Sequence, residues 1–479
     1  MPLNEEQKGI GRRNFLKAIA TLPAVGAFTL TATNTGPVKA GIIGTGMEGR
    51  ILISNMDPKY LYLIASCDIR PDNQKLGQDM IKAAGHSQNP KLYTNLEDML
   101  NDPEIEAVVI ATPLKYHGPM AVQALKAGKH VFVEKTMAYT IEDCLEMYRL
   151  AEEKKLNLQV GHQRFYNPLY WDAYRMIKEG LLGNIYHVRA LWHRNGDWNY
   201  WIYVENQFRE TLKKFDPSKW GYSDPEHLVN WRWYKDTSHG QWTELCSHQM
   251  AITNWIFGDI APSAVIASGG KYKVEKDNLD SYMRLMPTFQ ADQALNKTTA
   301  KTFDEYRREK MVYSKDDSNI PDHIFAIYEY PNGRTVTYSS IQSNSYDQYY
   351  EEIMGTHGTI ILSKENESYL FWEPGWDENL AKSVVAEAKG TQVAVTQESL
   401  SQSAFAAHVS GEATGGGGAS GMTPFEPYKF ELQGFAHTIR QQAPNLCNGA
   451  RAARAALACF KGQEALETQK RVEIQPLKI

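Results

Sequence analysis

Three short stretches hold residue types that can do chemistry together. In the first, Gly44-Thr45-Gly46-Met47-Glu48-Gly49 follows the apolar run Ala40–Ile43 and precedes a helix-like stretch, Arg50–Asn55. A glycine-rich turn between strand and helix can wrap a pyrophosphate. Gly44 permits the tight turn, Gly46 lets the backbone approach the phosphates, and Gly49 lets helix and strand pack closely. The helix N-terminus then offers unpaired N–H groups and the positive end of its dipole. In the second, Glu134-Lys135 ends the run His130–Val133. A lysine there can donate to a substrate hydroxyl, lower its pKa or relay a proton, although a surface salt bridge is the plainer reading. In the third, Glu244 and His248 stand four apart, on one face if the segment is helical. The carboxylate could then orient the imidazole and hold its tautomer.

Other residues extend the first site. Asp68 ends the run Tyr60–Cys67, about 20 residues past the last glycine, where an acid can accept from both hydroxyls of a ribose. Arg70 stands two residues on and could meet a 2′-phosphate, so NAD is the expected cofactor and NADP the alternative. Thr112-Pro113 ends the next strand and should line the nicotinamide side of the groove, with Glu134 and Lys135 at its mouth. His117 reads first as a cap of the following helix and second as a cofactor contact. His239, Glu244 and His248 are spaced five and then four, which matches no familiar ligand pattern, so no metal is expected.

The elements that must position these groups read as an α/β fold in two domains, since 479 residues are too many for one ordinary core. From 36 to 161, strands at 39–43, 61–67, 106–111, 130–133 and 156–160 alternate with helices near 48–56, 71–84, 95–100, 117–127 and 141–154. That alternation predicts a Rossmann-type doubly wound parallel sheet with ligands at the carboxyl ends of its strands. From 162 to 479 the pattern predicts an α+β domain with a large, mostly antiparallel open sheet. Its strands fall near 185–193, 262–268, 324–330, 334–341, 349–354, 358–363 and 368–372, with a hairpin at Pro331-Asn332-Gly333-Arg334. Insertions near 195–230 and 283–320 exceed ordinary loop length, 388–424 reads as a mobile surface loop, and helices return from Phe425 to Thr468. Aromatic residues crowd between 165 and 260, as core or as a sugar-stacking cleft.

Composition excludes some partners. Net charge is −5 with pI near 6.3, so there is no basic footprint for nucleic acid. Five scattered cysteines show neither metal spacing nor a disulfide framework. Near the start, Gly11-Arg12-Arg13-Asn14-Phe15-Leu16-Lys17 leads into a modestly apolar run, Ala18–Leu30, too short and interrupted for a membrane span. This order resembles a twin-arginine export signal, so residues 1–35 are expected to be an address and the protein bacterial and periplasmic, with an uncleaved arm as the alternative.

The glycine fingerprint, Asp68, Thr112-Pro113, Ala127-Gly128-Lys129-His130-Val131 and Glu134-Lys135, in that order, resemble the glucose–fructose oxidoreductase / inositol dehydrogenase / rhizopine-catabolism (Gfo/Idh/MocA) family. The resemblance continues through Val160–Pro168 and Gly183-Asn184-Ile185. It implies a base on the reacting hydroxyl at His248 and a lysine stabilising the alkoxide at Lys135. Glu244 stands where family members have Asp, and Thr136 where they have a proline, often in a special peptide geometry. Arg164, Tyr166, Trp231, Arg232 and Tyr234 are the expected substrate contacts. The implied activity is oxidation of a CH–OH group of a sugar or glycoside, with C3 of a glycoside as a hypothesis, by tightly held NAD. The alternative is an NAD-dependent glycosidase working through transient oxidation and elimination. A non-catalytic sugar-binding protein is a third class. Self-association through the open sheet is also expected.

Overall fold

The computed structural model describes residues 3–20, 22, 36–194, 204, 206–271, 290, 293–294, 301–302, 305, 319–389 and 426–479. The expected loop at 388–424 and insertion at 283–320 lie almost wholly outside the described residues. Six parallel strands form the first sheet: β1 Val38–Ile43, β2 Leu61–Cys67, β3 Lys91–Tyr93, β4 Ala107–Ile110, β5 His130–Glu134 and β6 Leu158–Gly161, in the order 3-2-1-4-5-6. The central strands are buried on both faces, which is why they read as continuous apolar runs. β3 was not expected. It has three residues, too few to show a period, and forms only by pairing with Ala65–Cys67. The order reverses between β1 and β4, so a cleft opens at their carboxyl ends.

The second sheet has eight strands: β7 Ile185–His193, β8 Ala264–Gly270, β9 His323–Glu329, β10 Thr335–Ile341, β11 Tyr349–Gly355, β12 Gly358–Ser363, β13 Glu367–Trp372 and β14 Val472–Glu473. Their order is 13-12-11-7-10-9-8-14, antiparallel except for β7 beside β10. Alternation sets the faces. Ile324, Ala326 and Tyr328 of β9 point into the core, while Phe325 and Ile327 face outward. The helices Ser247–Ile256 and Gly449–Thr468 cover the inner face. The helix Glu426–Ile439 returns to the first domain, where Phe435 meets Phe132 edge-on at 5.8 Å and Arg440 follows to pair with Glu106 at 2.7 Å. The last helices therefore tie the domains together instead of closing the second one alone.

The crowded aromatic residues divide between the core and the cleft. Trp171, Trp242 and Trp255 are core, with Tyr174 stacked on Trp255 at 3.9 Å, whereas Trp220, Tyr222 and Trp231 line the cleft. The segment expected as an export address forms a helix, Glu5–Ile19, opened by an Asn4/Gln7 capping box. It docks on β13: Arg12 donates to Glu367 at 3.1 Å and to the Tyr369 hydroxyl at 3.4 Å, and Phe15 and Ala18 are buried.

Arg164 and Tyr166 are placed differently from the expectation. Arg164 donates through Nε to Glu365 at 2.7 Å and through Nη1 to Glu351, whose other oxygen accepts from Tyr170 at 2.8 Å. Tyr166 is buried with its hydroxyl accepting from the Leu446 N–H at 3.3 Å. Both lie outside the cleft because the 3-10 turn Gln163–Tyr166 drives them into the core between the domains. Removing one partner from a buried ion pair strands the others without compensation. Arg164→Ala should therefore lower stability by about 3–5 kcal/mol in urea unfolding, and a loss below ~1 kcal/mol would contradict this role.

Candidate active site

The cleft at the carboxyl ends of β1, β2, β4 and β5 spans about 1470 Å³, the open space at its mouth included. Its shape follows from the glycines. Gly44 has φ +87°, and a Cβ there would come within 2.6 Å of the Ala111 carbonyl oxygen; one on Gly49 would sit 2.0 Å from the Gly44 carbonyl oxygen. Gly46 differs, since its Cβ would meet nothing nearer than Asn73 Nδ2 at 3.7 Å. Gly46 is also the N-cap of the helix Met47–Asn55 and supplies no side-chain cap, so the first N–H groups remain for an anion. This cradle fits the pyrophosphate of a dinucleotide.

At the end of β2, Asp68 accepts from the Thr45 N–H at 2.7 Å, from Thr45 Oγ1 at 3.2 Å and from the Arg70 N–H at 2.8 Å. Burial pushes its carboxyl up, against the pull of those backbone donors. Thr45 thus braces Asp68 and turns its hydroxyl to the Asn73 carbonyl at 2.9 Å, facing inward instead of lining the cleft. Arg70 is committed to Asp72 through two bonds, 3.1 Å and 2.5 Å. With its charge neutralised beside it, the ribose end favours a free diol over a 2′-phosphate, which supports NAD.

The opposite wall brings the two chemical motifs together. Lys135 donates from Nζ to the Glu244 carbonyl at 2.9 Å, and Thr136 donates from Oγ1 to the Thr243 carbonyl at 2.7 Å. The peptide between Lys135 and Thr136 is cis although no proline is present. Glu134 accepts the Lys135 N–H at 3.1 Å, and burial together with neighbouring Glu48 pushes its carboxyl well up. Burial likewise raises Glu48, against Lys135 and Arg232. His117 lies between two strand ends, its ring nitrogens 2.8 Å from the carbonyls of Thr136 and Thr112; a neutral ring donates to one at a time.

Glu244 does not orient His248. Residues Trp242–Cys246 form a π-turn, and the Glu244 carboxylate accepts from Arg232 Nε at 2.9 Å. Burial pushes Glu244 up, but Arg232 and Lys135 outweigh it and hold the carboxyl below its ordinary value. Arg232 also lies over the Trp231 ring, 4.3 Å from its centroid. His248 sits deeper, 5.9 Å from His162 and 5.4 Å from Trp192, with Nδ1 enclosed and without a hydrogen-bond partner among the described residues. Burial and the nearby charges of Lys135 and Arg164 hold it well below the ordinary histidine value. His239 stands apart, stacked on Tyr139 at 4.3 Å, and Tyr234 lies against His227 outside the cleft.

Gly44, Gly46, Met47, Glu48, Asp68, Arg70, Thr112, Pro113, His117, Glu134, Lys135, Trp231, Arg232 and Glu244 line the cleft. Gly49 shapes it from behind. Sequence reasoning missed Arg50, Asp72, Asn73, Trp220 and Tyr222, which also line it. Only the aromatic richness of the 195–230 insertion pointed toward the last two. Gly46→Ala should fold normally yet bind NAD about tenfold or more weakly in a fluorescence titration. Gly49→Ala, with no room for a methyl, should instead lower the melting temperature. Equal effects of the two changes would contradict this division.

Comparison with known proteins agrees with this geometry. The oxidoreductase family with an NAD-binding Rossmann fold, Gfo/Idh/MocA, matches residues 38–162, and its C-terminal α/β domain matches residues 175–419. An uncharacterized oxidoreductase of Synechocystis sp. is 28% identical over 223 residues, 46% of this chain and 52% of its own length. An alpha-N-acetylgalactosaminidase of Tannerella forsythia is 32% identical over 205 residues, 37% of this chain and 43% of its own. The chain thus spans about half the length of these curated relatives. A levoglucosan dehydrogenase, solved with NADH and levoglucosan, shares the fold with TM-score 0.63 at 18% identity, covering 91% of this chain and 99% of its own. With the fingerprint, the six-stranded sheet and the second sheet all in place, the chain belongs to the Gfo/Idh/MocA family of NAD-binding oxidoreductases.

Proposed function

We propose that the protein oxidises a CH–OH group of a sugar or glycoside, with Lys135 and His248 as its catalytic residues. The carrying observation is the placement of Lys135 at the mouth of the NAD cleft, held on the Glu244 carbonyl at 2.9 Å. When bound, NAD accepts a hydride at its nicotinamide. The chain's own residues do the rest. His248, kept neutral at pH 7, can take the hydroxyl proton. Lys135 spends one of its three donors on Glu244 and can hold the developing alkoxide with another. Trp231 and Arg232 line the same wall and can meet the sugar by stacking and hydrogen bonding, while Arg232 keeps Glu244 ionised. Lys135→Ala and His248→Ala should each cut turnover by about 100-fold or more while NAD still binds. Because the folded His248 stays neutral below the ordinary histidine range, turnover should hold level from about pH 8 to pH 6. Loss of half the rate by pH 6.5 would sink the base assignment.

A second reading is favoured by the Tannerella relative, which is named for glycoside hydrolysis. Oxidation next to a C–H bond acidifies it, so the same base and lysine could serve elimination, water addition and return of the hydride. Incubation with a glycoside panel separates the two. Lasting nicotinamide reduction marks net oxidation, and free sugar without it marks hydrolysis.

Two further expectations stay with this reading. Export by the twin-arginine route rests on Gly11–Lys17, and self-association rests on the outward row Ile266, Phe325 and Ile327 of the open sheet. Cell fractionation that leaves the protein cytoplasmic would refute the first, and light scattering of a monomer at micromolar concentration the second.

A further inference from the structure

We propose that the folded protein withholds its own address. The helix Glu5–Ile19, which carries the arginine pair, is clasped on the outer edge of the second sheet, and a receptor reads the pair only in molecules whose clasp has opened. This rests on the export reading of Gly11–Lys17 and goes beyond it. Addresses of this kind act by being read, not by anchoring the chain. A helix of 15 residues is marginal alone in water, so what it packs against decides whether it is free to be read.

β13 is the last strand of its sheet, paired with β12 on one side only. Sheet edges are often covered by a helix, and here the cover is the address itself. Phe15 and Ala18 are buried in the main core. Gly11 marks the closest approach, since a Cβ there would come within 2.8 Å of both Tyr369 Cβ and Phe371 Cζ. A glycine weakens the interior of a helix, but nothing larger fits at this contact. Asn14 donates from Nδ2 to the Leu370 carbonyl of the edge strand at 3.2 Å. Lys17 reaches Glu378, which opens the helix Glu378–Lys389, at 3.4 Å.

The two arginines are divided on this surface. Arg12 turns to the body, and the Tyr369 hydroxyl beside it donates to the second oxygen of Glu367 at 2.9 Å. Arg13 is exposed, as are Ile10 and Leu16. About half of the Arg12 side chain still meets water, so its ion pair alone would be a weak latch. Burial of Phe15 and Ala18 does most of the holding. A receptor that needs both arginines must therefore lift the helix, not merely compete for one side chain. The partners lie 355 to 361 residues further along the chain, so the clasp closes only once the second domain has folded. The share of folded molecules with the clasp open then sets how readily they are exported.

The test reads the clasp and the export separately. Trypsin needs an arginine on a stretch of free backbone, so cleavage after Arg12 or Arg13 follows the open population. Mass spectrometry follows that cut in the full chain and in a synthetic peptide of residues 4–20. The parent should be cut about tenfold or more slowly than the peptide. Phe15→Ala should be cut about tenfold faster than the parent, and Glu367→Gln/Tyr369→Phe, which leaves the address intact, about threefold faster. In pulse-labelled cells the Glu367→Gln/Tyr369→Phe protein should reach the periplasm about twofold or more faster than the parent, and Arg12→Lys/Arg13→Lys should not reach it. Parent cleavage as fast as the peptide's, or both cleavage variants close to the parent's rate, would overturn the clasp. Equal export of the parent and the Glu367→Gln/Tyr369→Phe protein, with the cleavage contrast intact, would overturn the withholding. Retention of every protein in the cytoplasm would refute the export reading and the withholding with it, while the cleavage contrast still reports the clasp.

Discussion

Two hydrogen bonds across the domain boundary hold the site together: Lys135 Nζ to the Glu244 carbonyl and Thr136 Oγ1 to the Thr243 carbonyl. In an uninterrupted α-helix those carbonyls would be committed to N–H groups four residues on. In the π-turn Trp242–Cys246 the backbone bonds run to N–H groups five residues on, a geometry frequent at functional sites, and the Thr243 carbonyl also accepts from Ser247 Oγ at 2.8 Å. The end of β5 thereby docks on the helix that carries His248. This contact adds to the tie made by the last helices and sets the lysine of one domain beside the turn that leads into the histidine's helix.

Burial sets the charges around that contact. Glu48, Glu134 and Glu244 share the cleft wall with Lys135 and Arg232. Three ionised carboxylates could not share so dry a space cheaply. Burial pushes Glu48 and Glu134 up, while Glu244, bonded to Arg232, stays below its ordinary value. Glu244 thus faces Lys135 and Arg232, while burial, followed by Lys135 and Arg164, holds His248 well below the ordinary histidine value. The imidazole is kept as a proton acceptor by its surroundings and not by a carboxylate partner.

The first domain was largely legible along the chain because its motifs are local. A glycine turn needs only its own neighbours, and Asp68 falls where strand and helix lengths require an acid. The resemblance then carried Lys135 and His248, since order along the chain survives insertion. Partners were harder. Glu244 and His248 looked aligned on an α-helix, and a widened turn, with Arg232 close by, separated them. Arg164 and Tyr166 looked available to substrate, but their companions Glu351 and Leu446 are nearly 200 or more residues away and invisible to spacing. The aromatic insertion was visible as unusual, yet nothing local said that Trp220 and Tyr222 would line the same cleft as Asp68.

Fold class and the dinucleotide cradle were therefore written in short-range pattern. Backbone geometry and hydrophobic period act over a few residues, and those interactions are the same wherever the segment ends up. Which carboxyl is held low, which histidine is held low and which distant residues line the cleft depend on burial and on contacts between distant segments. Those terms do not exist until the second sheet, the returning helices and the insertion close around the first domain.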